Sequence, residues 1–566
     1  MDSDPLPEIT FVGQSGGISC ASKVSGGCLL RPPDARIPQN QGKLDHITSN
    51  IIKMEQVLAR YNSDGYLDPL KILTDPREFE RCIIAPLPTT RRVSRFMKRH
   101  ATDIISYGTA ERVSGPLRYY LPLFTVAKKS GLLRLIQDCR LLNSLFKKPP
   151  TMDLPRIHDL IDLILAHEVM GQTDAVSYFY QFPLHEVIRN YFGSRLGGGR
   201  GEYVDLRMCR LPMGFSHAPA IGQRLANKLV EGLGVSWVDN FIVVGSKSEF
   251  GSRAKELLRR AKEINLELDK DEIIGKTVDV ALGIEFDLNI KQFRMSPAWV
   301  EKADARLQEL LAKPEGSFTI RDLYTVTGTL LWRQYVMRED LCKVPHLLAA
   351  VGSAARCISA GADWEEVFSI PEMAMQEIIK MLDDLKKNLP KGPRNKSEPT
   401  AEVWSDASDT HWAFLLFEHD ILVEAHQGQT KEGLHIFYSE LSTALGGLSA
   451  AARRGHEVVK SVIDNAAAAG CIAKRASSNF TANRWLARSL ITETRVQWIS
   501  TKQMFADMYT RVPQDLTAPV KLPPVGTPKI FLQEAMSLMI AEVSRDGGAY
   551  GAQRWVKQAT GILPHD

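Results

Sequence analysis

Six acidic residues stand in settings where a bare charge is costly. The segment GQTDAVSYFYQFPL places Asp174 at the end of an apolar strand that leads into a helical turn. In GVSWVDNFIVVG, Asp239 and Asn240 lie between two apolar runs, the pattern of a β-hairpin with a polar tip. A carboxylate among apolar flanks is expensive unless something meets its charge. Mg²⁺ suits that position, because it takes oxygen ligands and keeps waters for substrate phosphates. Two carboxylates from neighbouring strands can hold two such ions across an in-line phosphoryl displacement. Taken singly, Asp174 reads equally well as a helix cap and Asp239 as a turn residue.

A second set lies further along. Asp406 falls inside a strand in EVWSDASDTHWAFLLFE, and Glu440 starts a helix in FYSELSTALGGLSAAARRG. Asp464 ends a short apolar run in SVIDNAAAAG, and Asp507 sits in a loop-to-helix turn in VQWISTKQMFADMYTRV. Each alone reads as a cap or a surface acid. Together they form an Asp-Glu-Asp-Asp set able to hold two divalent ions on either side of one scissile phosphate.

The elements that must position these acids are legible in outline. Between 118 and 245, short β-type runs (YYLPLFTVA, LLRLIQDC, EYVDLRMC, GVSWVDNFIVVG) alternate with the helical LPRIHDLIDLILAHEV and PAIGQRLANKLVEGL. That mixture is an α+β pattern. Residues 253–385 read as mostly helical. The stretch KKNLPKGPRNKSEPT, 386–400, clusters Pro, Gly, Lys and Asn without a period, which marks a linker. Three strand-like runs, an Ala-rich helical stretch and a Pro-broken tail follow. The expected organisation is a loose arm over 1–45, a mixed unit over 46–250, a helical unit over 251–385, the linker 386–400, a second α/β unit over 401–513 and a tail over 514–566.

Composition narrows the class. The 566 residues suggest roughly three or four domains. With 70 Lys+Arg against 66 Asp+Glu, the net charge of +4 excludes a polycationic tail but leaves room for a local basic groove. Hydrophobic residues at 44% and charged residues at 24% are those of an ordinary globular protein. The eight Cys are scattered without a CxxC, so neither a disulfide scaffold nor a structural zinc site is expected. The start lacks a basic, then apolar, leader, and no apolar run approaches ~18 residues. The expectation is a soluble intracellular protein, in nucleus or cytoplasm, without a membrane partner. Candidate phosphate grips are Arg253, Lys255, Arg259, Arg260 and Lys262 on one helix, Arg333 beside Trp332 and Tyr335, and Lys386, Lys387, Lys391, Arg394 and Lys396 of the linker. Solvated charge and core aromatics explain them equally well.

The ordered series LPLFTVAKKSGLLRLIQDCRLLN, LPRIHDLIDLI, TDAVSYFYQFPL, CRLPMGFSHAPAIGQRL, WVDNFIVVG, LELDKDEIIG and ALGIEF, over roughly residues 100–345, resembles the successive motifs of retroelement reverse transcriptases. The resemblance implies a right-hand polymerase with fingers, palm and a helical thumb and connection. Asp174 matches that family's first metal ligand, and Asp239 matches the first Asp of its Tyr-x-Asp-Asp hairpin. Lys128 or Lys129, with Arg134, falls where the fingers meet the incoming triphosphate. Phe179 falls at the aromatic position that excludes a ribose 2′-hydroxyl. Gly214 falls where the backbone approaches template and nucleotide, and Lys270 matches a family Lys after the palm hairpin. One departure stands out: the box here is Trp237-Val238-Asp239-Asn240, and Asn240 offers an amide oxygen without a charge.

Residues 401–513 resemble the ribonuclease H domain of retroelement polymerases, and FADMYTR is similar to the Ala-Asp-x-x-Ser/Thr-Arg ending of DIRS-like (tyrosine-recombinase) and gypsy-like elements. Here every acid of the family's set has a match. The resemblance implies an α/β ribonuclease H-like domain after the polymerase, with two Mg²⁺ or Mn²⁺ ions in each active site. The implied activity is that of a retrotransposon RNA-directed DNA polymerase with ribonuclease H activity. The implied partners are an RNA template, a DNA primer, the RNA–DNA hybrid, deoxynucleoside triphosphates and other retroelement proteins. The alternative is a ribonuclease H-type nuclease, or a non-catalytic nucleic-acid-binding protein, whose polymerase site has decayed at Asn240. No Asp-Thr/Ser-Gly protease motif or zinc knuckle occurs, so the chain reads as one product or fragment of a larger element.

Overall fold

Phe241, Ile242, Val243 and Val244 are all buried, as a run of four apolar residues in a central strand must be. The computed structural model describes residues 43–45, 47–61, 68–85, 93–94, 100–115, 117, 119–128, 130–197, 203–314, 316–394, 397–490, 493–510 and 522–534. The architecture is mixed helix and sheet. Strand Asn240–Gly245 is the middle of an antiparallel sheet, between Val169–Asp174 and Gly234–Trp237. Its register sets Asp174 opposite Asn240. On one face Ile242 and Val244 pack with Ile161 and Ile164 of helix Ile157–Leu165. On the other, Phe241 and Val243 join Leu225 and Leu229 of helix Ala218–Val230 and Leu257 of helix Phe250–Glu263. Apolar cover on both faces leaves the acids only the strand ends.

N-terminal to this sheet, a hairpin pairs Leu123–Ala127 with Leu133–Gln137. Residues 43–45 run along its outer edge: the Asp45 N–H donates to the Leu133 carbonyl at 2.8 Å, and the Leu133 N–H to that of Lys43 at 3.0 Å. The loose arm expected over 1–45 therefore ends in fixed structure at 43–45, and residues 1–42 lie outside the described residues. Arg210 is fully buried and donates to the carbonyls of Thr48 (2.6 Å), Tyr107 (2.9 Å), Gly108 (3.0 Å) and Tyr180 (3.0 Å). Those bonds join three stretches of chain around one guanidinium.

The span 253–385 departs from the helical expectation. Strands Val278–Ala281, Ile284–Asp287 and Gln292–Met295 form an antiparallel meander inside it. Its alternation is only four residues per strand, with Ile284, Phe286, Phe293 and Met295 inward, too short to stand out beside long helices. Helices Pro297–Leu311, Ile320–Val336, Pro345–Ser359 and Glu372–Lys387 follow around one shared core.

The stretch expected to be a solvated linker is docked. Lys391 pairs with Phe293 as an antiparallel bridge. Arg394 bonds to Asp159 at 2.5 Å and to Asp162, and Arg338 reaches Asp162 at 2.6 Å and the Gly392 carbonyl at 3.1 Å. The cause is Asp162: buried within helix Ile157–Leu165, it needs cations, and the linker supplies one.

After it, a five-stranded sheet runs in the order Ile421–Gln429, His411–Glu418, Ala401–Ala407, Val458–Ile463, Glu493–Trp498. The first three are antiparallel neighbours, and the last two join in parallel. Helix Ile436–Arg453 lies close on the sheet at Gly447, where a Cβ would fall 2.5 Å from Val403 Cγ1. Residues 522–534, expected to belong to a separate tail, pack on this unit. The Leu422 N–H donates to the Thr527 carbonyl at 3.0 Å, and Lys529 binds Glu402 at 2.8 Å. The described residues include no helix long and apolar enough to cross a membrane.

Asp162→Ala would leave two guanidiniums without their shared anion. Chemical denaturation is expected to show a loss of about 3 kcal/mol. A loss below about 1 kcal/mol, the level of surface pairs, would contradict this reading of the docked linker.

Candidate active sites

The first centre is built at one end of the central sheet. Asp174 ends its strand, and the Ala175 N–H donates to the Asp239 carbonyl at 2.8 Å, so the two acids are neighbours across strands. Loss of hydration raises the Asp174 pKa, and the charges of Asp269 and then Asp239 raise it further, while Lys270 and the Asn240 side chain ease it. Burial likewise raises Asp239, and Arg134 eases it. Asn240 Oδ1 is shielded from solvent with no hydrogen-bond partner. An orphan amide oxygen beside two carboxylates of raised pKa is the donor set a divalent cation satisfies.

The tip that carries Asp239 is strained. Val238 has φ +55°, a left-handed conformation that a β-branched side chain resists by about 1–3 kcal/mol. Gln223 of helix Ala218–Val230 holds it there. Its Oε1 accepts from the Val238 N–H at 2.7 Å, and its Nε2 donates to Asn227 Oδ1 at 2.6 Å and Ser236 Oγ at 3.0 Å. Sequence reasoning passed over Gln223, although an amide on the apolar face of PAIGQRLANKLV must be bonded and so signals a task.

The remaining residues singled out by sequence take varied places. Lys128 and Arg134 line an open cleft of about 460 Å³ on the N-terminal hairpin. Lys128 is ion-paired to Asp45, and its pKa is lowered by burial and by Arg134. Lys129 lies outside the described residues. The half-buried Phe179 rests on Gly222, where a Cβ would fall 3.1 Å from its ring. Gly214, at φ +119°, does make a close approach, but to the chain itself: a Cβ there would lie 2.1 Å from the Gln137 carbonyl oxygen. Lys270 donates to the Gln172 carbonyl at 2.7 Å, behind Asp174.

Most of the candidate phosphate grips are already engaged. Arg259 and Arg260 bind Glu256 at 2.7 and 2.8 Å, and Arg253 pairs with Glu249 at 3.5 Å. Arg333 is buried, bonded to Glu339 and to the Asp384 carbonyl at 3.0 Å, which removes it from any phosphate. Tyr335 lies against His158, with ring centres 4.6 Å apart, and Trp332 packs on the core. Lys386 and Lys387 pair with Asp304 at 3.7 Å and Asp383 at 2.6 Å, and Lys391 and Arg394 are docked as described. Lys396 lies outside the described residues.

The second centre is tighter. Carboxylate oxygens of Asp406, Glu440 and Asp464 lie within 4.8 Å of one another. Asp406 comes from the central strand, Glu440 from the second turn of helix Ile436–Arg453, and Asp464 from just past strand Val458–Ile463. Asp507, on the short helical turn Phe505–Tyr509, falls outside that set of three, though its charge still bears on Glu440. Burial, followed by the charges of Asp406 and Asp464, pushes Glu440 up to about 9. Its Oε2 is buried without a partner. A buried, partnerless carboxylate oxygen among other acids fits a divalent cation. Thr510 was missed by sequence reasoning: its hydroxyl donates to Asp406 Oδ2 and to the Asp507 carbonyl at 3.1 Å, tying the two acids together. The signal was the Thr of FADMYTR.

No protein-family model and no curated protein matches the sequence. Among solved structures, the chain is similar to the foamy viral protease-reverse transcriptase dRH in complex with double-stranded DNA. That likeness has 14% identity over 74% of this chain and 72% of that one, with a TM-score of 0.45. The foamy viral protease-reverse transcriptase in complex with RNA/DNA hybrid matches at 13% identity over 78% of this chain and 58% of that one, with a TM-score of 0.46. Likeness this weak says nothing of activity.

Two outcomes follow from this geometry. The native protein without metal binds a proton at Glu440 between pH 4.5 and about 9 that the unfolded chain lacks, so Glu440 makes stability fall as pH rises through that window. Thermal melts from pH 5 to 9 without metal are expected to show that fall, and Glu440→Gln to flatten it. An unchanged slope in the variant would contradict the assignment. Gln223→Leu removes the acceptor that holds Val238, and the loss of a buried bond is expected to cost about 1–3 kcal/mol in denaturant unfolding.

Proposed function

We propose that the chain is the RNA-directed DNA polymerase of a retrotransposon, of the DIRS-like or gypsy-like kind, joined to a ribonuclease H. The observation that carries this reading is the occurrence of two carboxylate centres on two separate sheets, each with a shielded, partnerless oxygen. In this reading residues 46–250 are fingers and palm, 251–385 thumb and connection, 386–400 a docked linker, and 401–513 with 522–534 the ribonuclease H.

Asp174, Asp239 and the Asn240 amide oxygen would hold Mg²⁺ or Mn²⁺ at the first centre, and Asp406, Glu440, Asp464 and Asp507 at the second. When bound, the ions neutralise phosphate charge and activate the attacking oxygen. The chain's own residues do the rest. Lys128 and Arg134 bind the triphosphate of an incoming deoxynucleotide, once Asp45 has released Lys128. Phe179, backed by the helix at Gly222, excludes a ribose 2′-hydroxyl. Gln223 keeps Asp239 at the hairpin tip beside the primer end. At the second centre Thr510 orients Asp406, and Glu440 gives up its proton as the cation binds. The RNA strand of a hybrid is the substrate there, read through its shape and phosphates.

Asn240 favours a second reading, in which the first centre binds a hybrid without extending it and only the second cuts. Primer extension on an RNA template and cleavage of a labelled hybrid, each with Mg²⁺ and with Mn²⁺, separate the two. Wild type is expected to do both. Asp174→Asn should lose extension by about a hundredfold or more, and Glu440→Gln should lose cleavage by a similar factor. Cleavage without extension by wild type would establish the second reading, and neither activity would leave a binding protein.

A further inference from the structure

The end of the strand that carries Asp174 is gripped from outside the sheet by one short segment. Leu268 bridges to Ala175. The Asp269 N–H donates to the Asp174 carbonyl at 2.8 Å. Asp269 Oδ1 accepts from the Asp174 N–H at 2.8 Å and from the Thr173 hydroxyl at 2.6 Å. Lys270 then takes the Gln172 carbonyl. Three consecutive residues, Gln172 to Asp174, thus have their outward groups held by Asp269 and Lys270, where a further strand would otherwise supply the partners.

Those bonds need an acceptor oxygen at position 269. They do not need a charge, since an Asn side chain offers the same oxygen in the same shape. The carboxylate instead adds a third negative charge beside Asp174 and Asp239, which disfavours the assembly for as long as no cation is present. A bound cation reverses that sign. Across the strand pair, at Asn240, the charge is missing where the residue type could have supplied it.

We infer that Asp269 is a positioning residue of the first centre that fixes the backbone of Asp174 and supplies the negative charge Asn240 lacks. The inference deepens the polymerase reading and rests on it. The centre then presents Asp174, Asp239 and Asp269 as its anionic set.

The test moves the charge while keeping the bonds. Asp269→Asn retains both acceptor contacts. Asp269→Asn with Asn240→Asp returns the charge across the strand pair. The readout is the Mg²⁺ concentration for half-maximal primer extension, with hybrid cleavage by the second centre in the same preparation as the control for folding. Asp269→Asn is expected to raise that concentration about tenfold with cleavage unchanged, and the double variant to recover most of the loss. An unchanged Mg²⁺ requirement in Asp269→Asn, or a double variant that recovers nothing, overturns the inference while leaving the polymerase reading intact. If wild type extends no primer, that reading falls, and Mn²⁺ binding followed by electron paramagnetic resonance decides the inference. It is measured in an Asp406→Asn, Asp464→Asn background. About tenfold weaker binding on adding Asp269→Asn supports the inference, and equal or absent binding overturns it.

Discussion

Like charges must be held together against their own repulsion, and much of the local structure answers to that constraint. Asp174, Asp239 and Asp269 gather at one end of a sheet, and Asp406, Glu440 and Asp464 meet around one point on another. Asp162, also buried, is met by two guanidiniums. Hydrogen bonds from backbone and side chains help to keep each set in place. Gln223 braces a left-handed Val238, Thr510 ties Asp406 to the Asp507 backbone, and the Asp269 segment clamps the strand end. Scaffolds that hold acids without discharging them leave the charge for something that arrives later.

The two centres answer the constraint differently. The second is enclosed: Asp406 and Glu440 are buried, and Glu440 is pushed up to about 9. The first lies open at the strand ends, with Asp174 and Asp239 raised but exposed, and an amide where a further carboxylate would add charge. Acids in a wetter setting bind a divalent cation less tightly. The first centre should therefore be the more sensitive of the two to the supply of metal.

Sequence patterns reveal acids well and their supports poorly, for a physical reason. The run FIVVG reads as a buried strand and the VDN tip beside it as a turn, but that pattern leaves Asp174 equally a cap and Asp239 equally a turn residue, and only the resemblance to a motif series singles them out. Supports act through hydrogen bonds that span long stretches of chain. Asp269 meets Thr173 across 96 positions and Thr510 meets Asp406 across 104, and no local pattern records either. The meander at 278–295 was hidden by strands of four residues between long helices. The Pro- and Lys-rich stretch near 391 looked solvated, because the need for its cation arises at Asp162, more than two hundred residues earlier. A basic helix likewise looked like a phosphate grip until Glu256 took two of its arginines.

The central claim is that both sets of acids exist to gather divalent cations. Anomalous scattering from crystals of the protein grown or soaked with Mn²⁺ tests it without reference to any activity. The account expects Mn²⁺ peaks in two places, one bounded by Asp174 and Asp239 and one by Asp406, Glu440 and Asp464. Peaks at neither place, with the carboxylates turned apart, would contradict it.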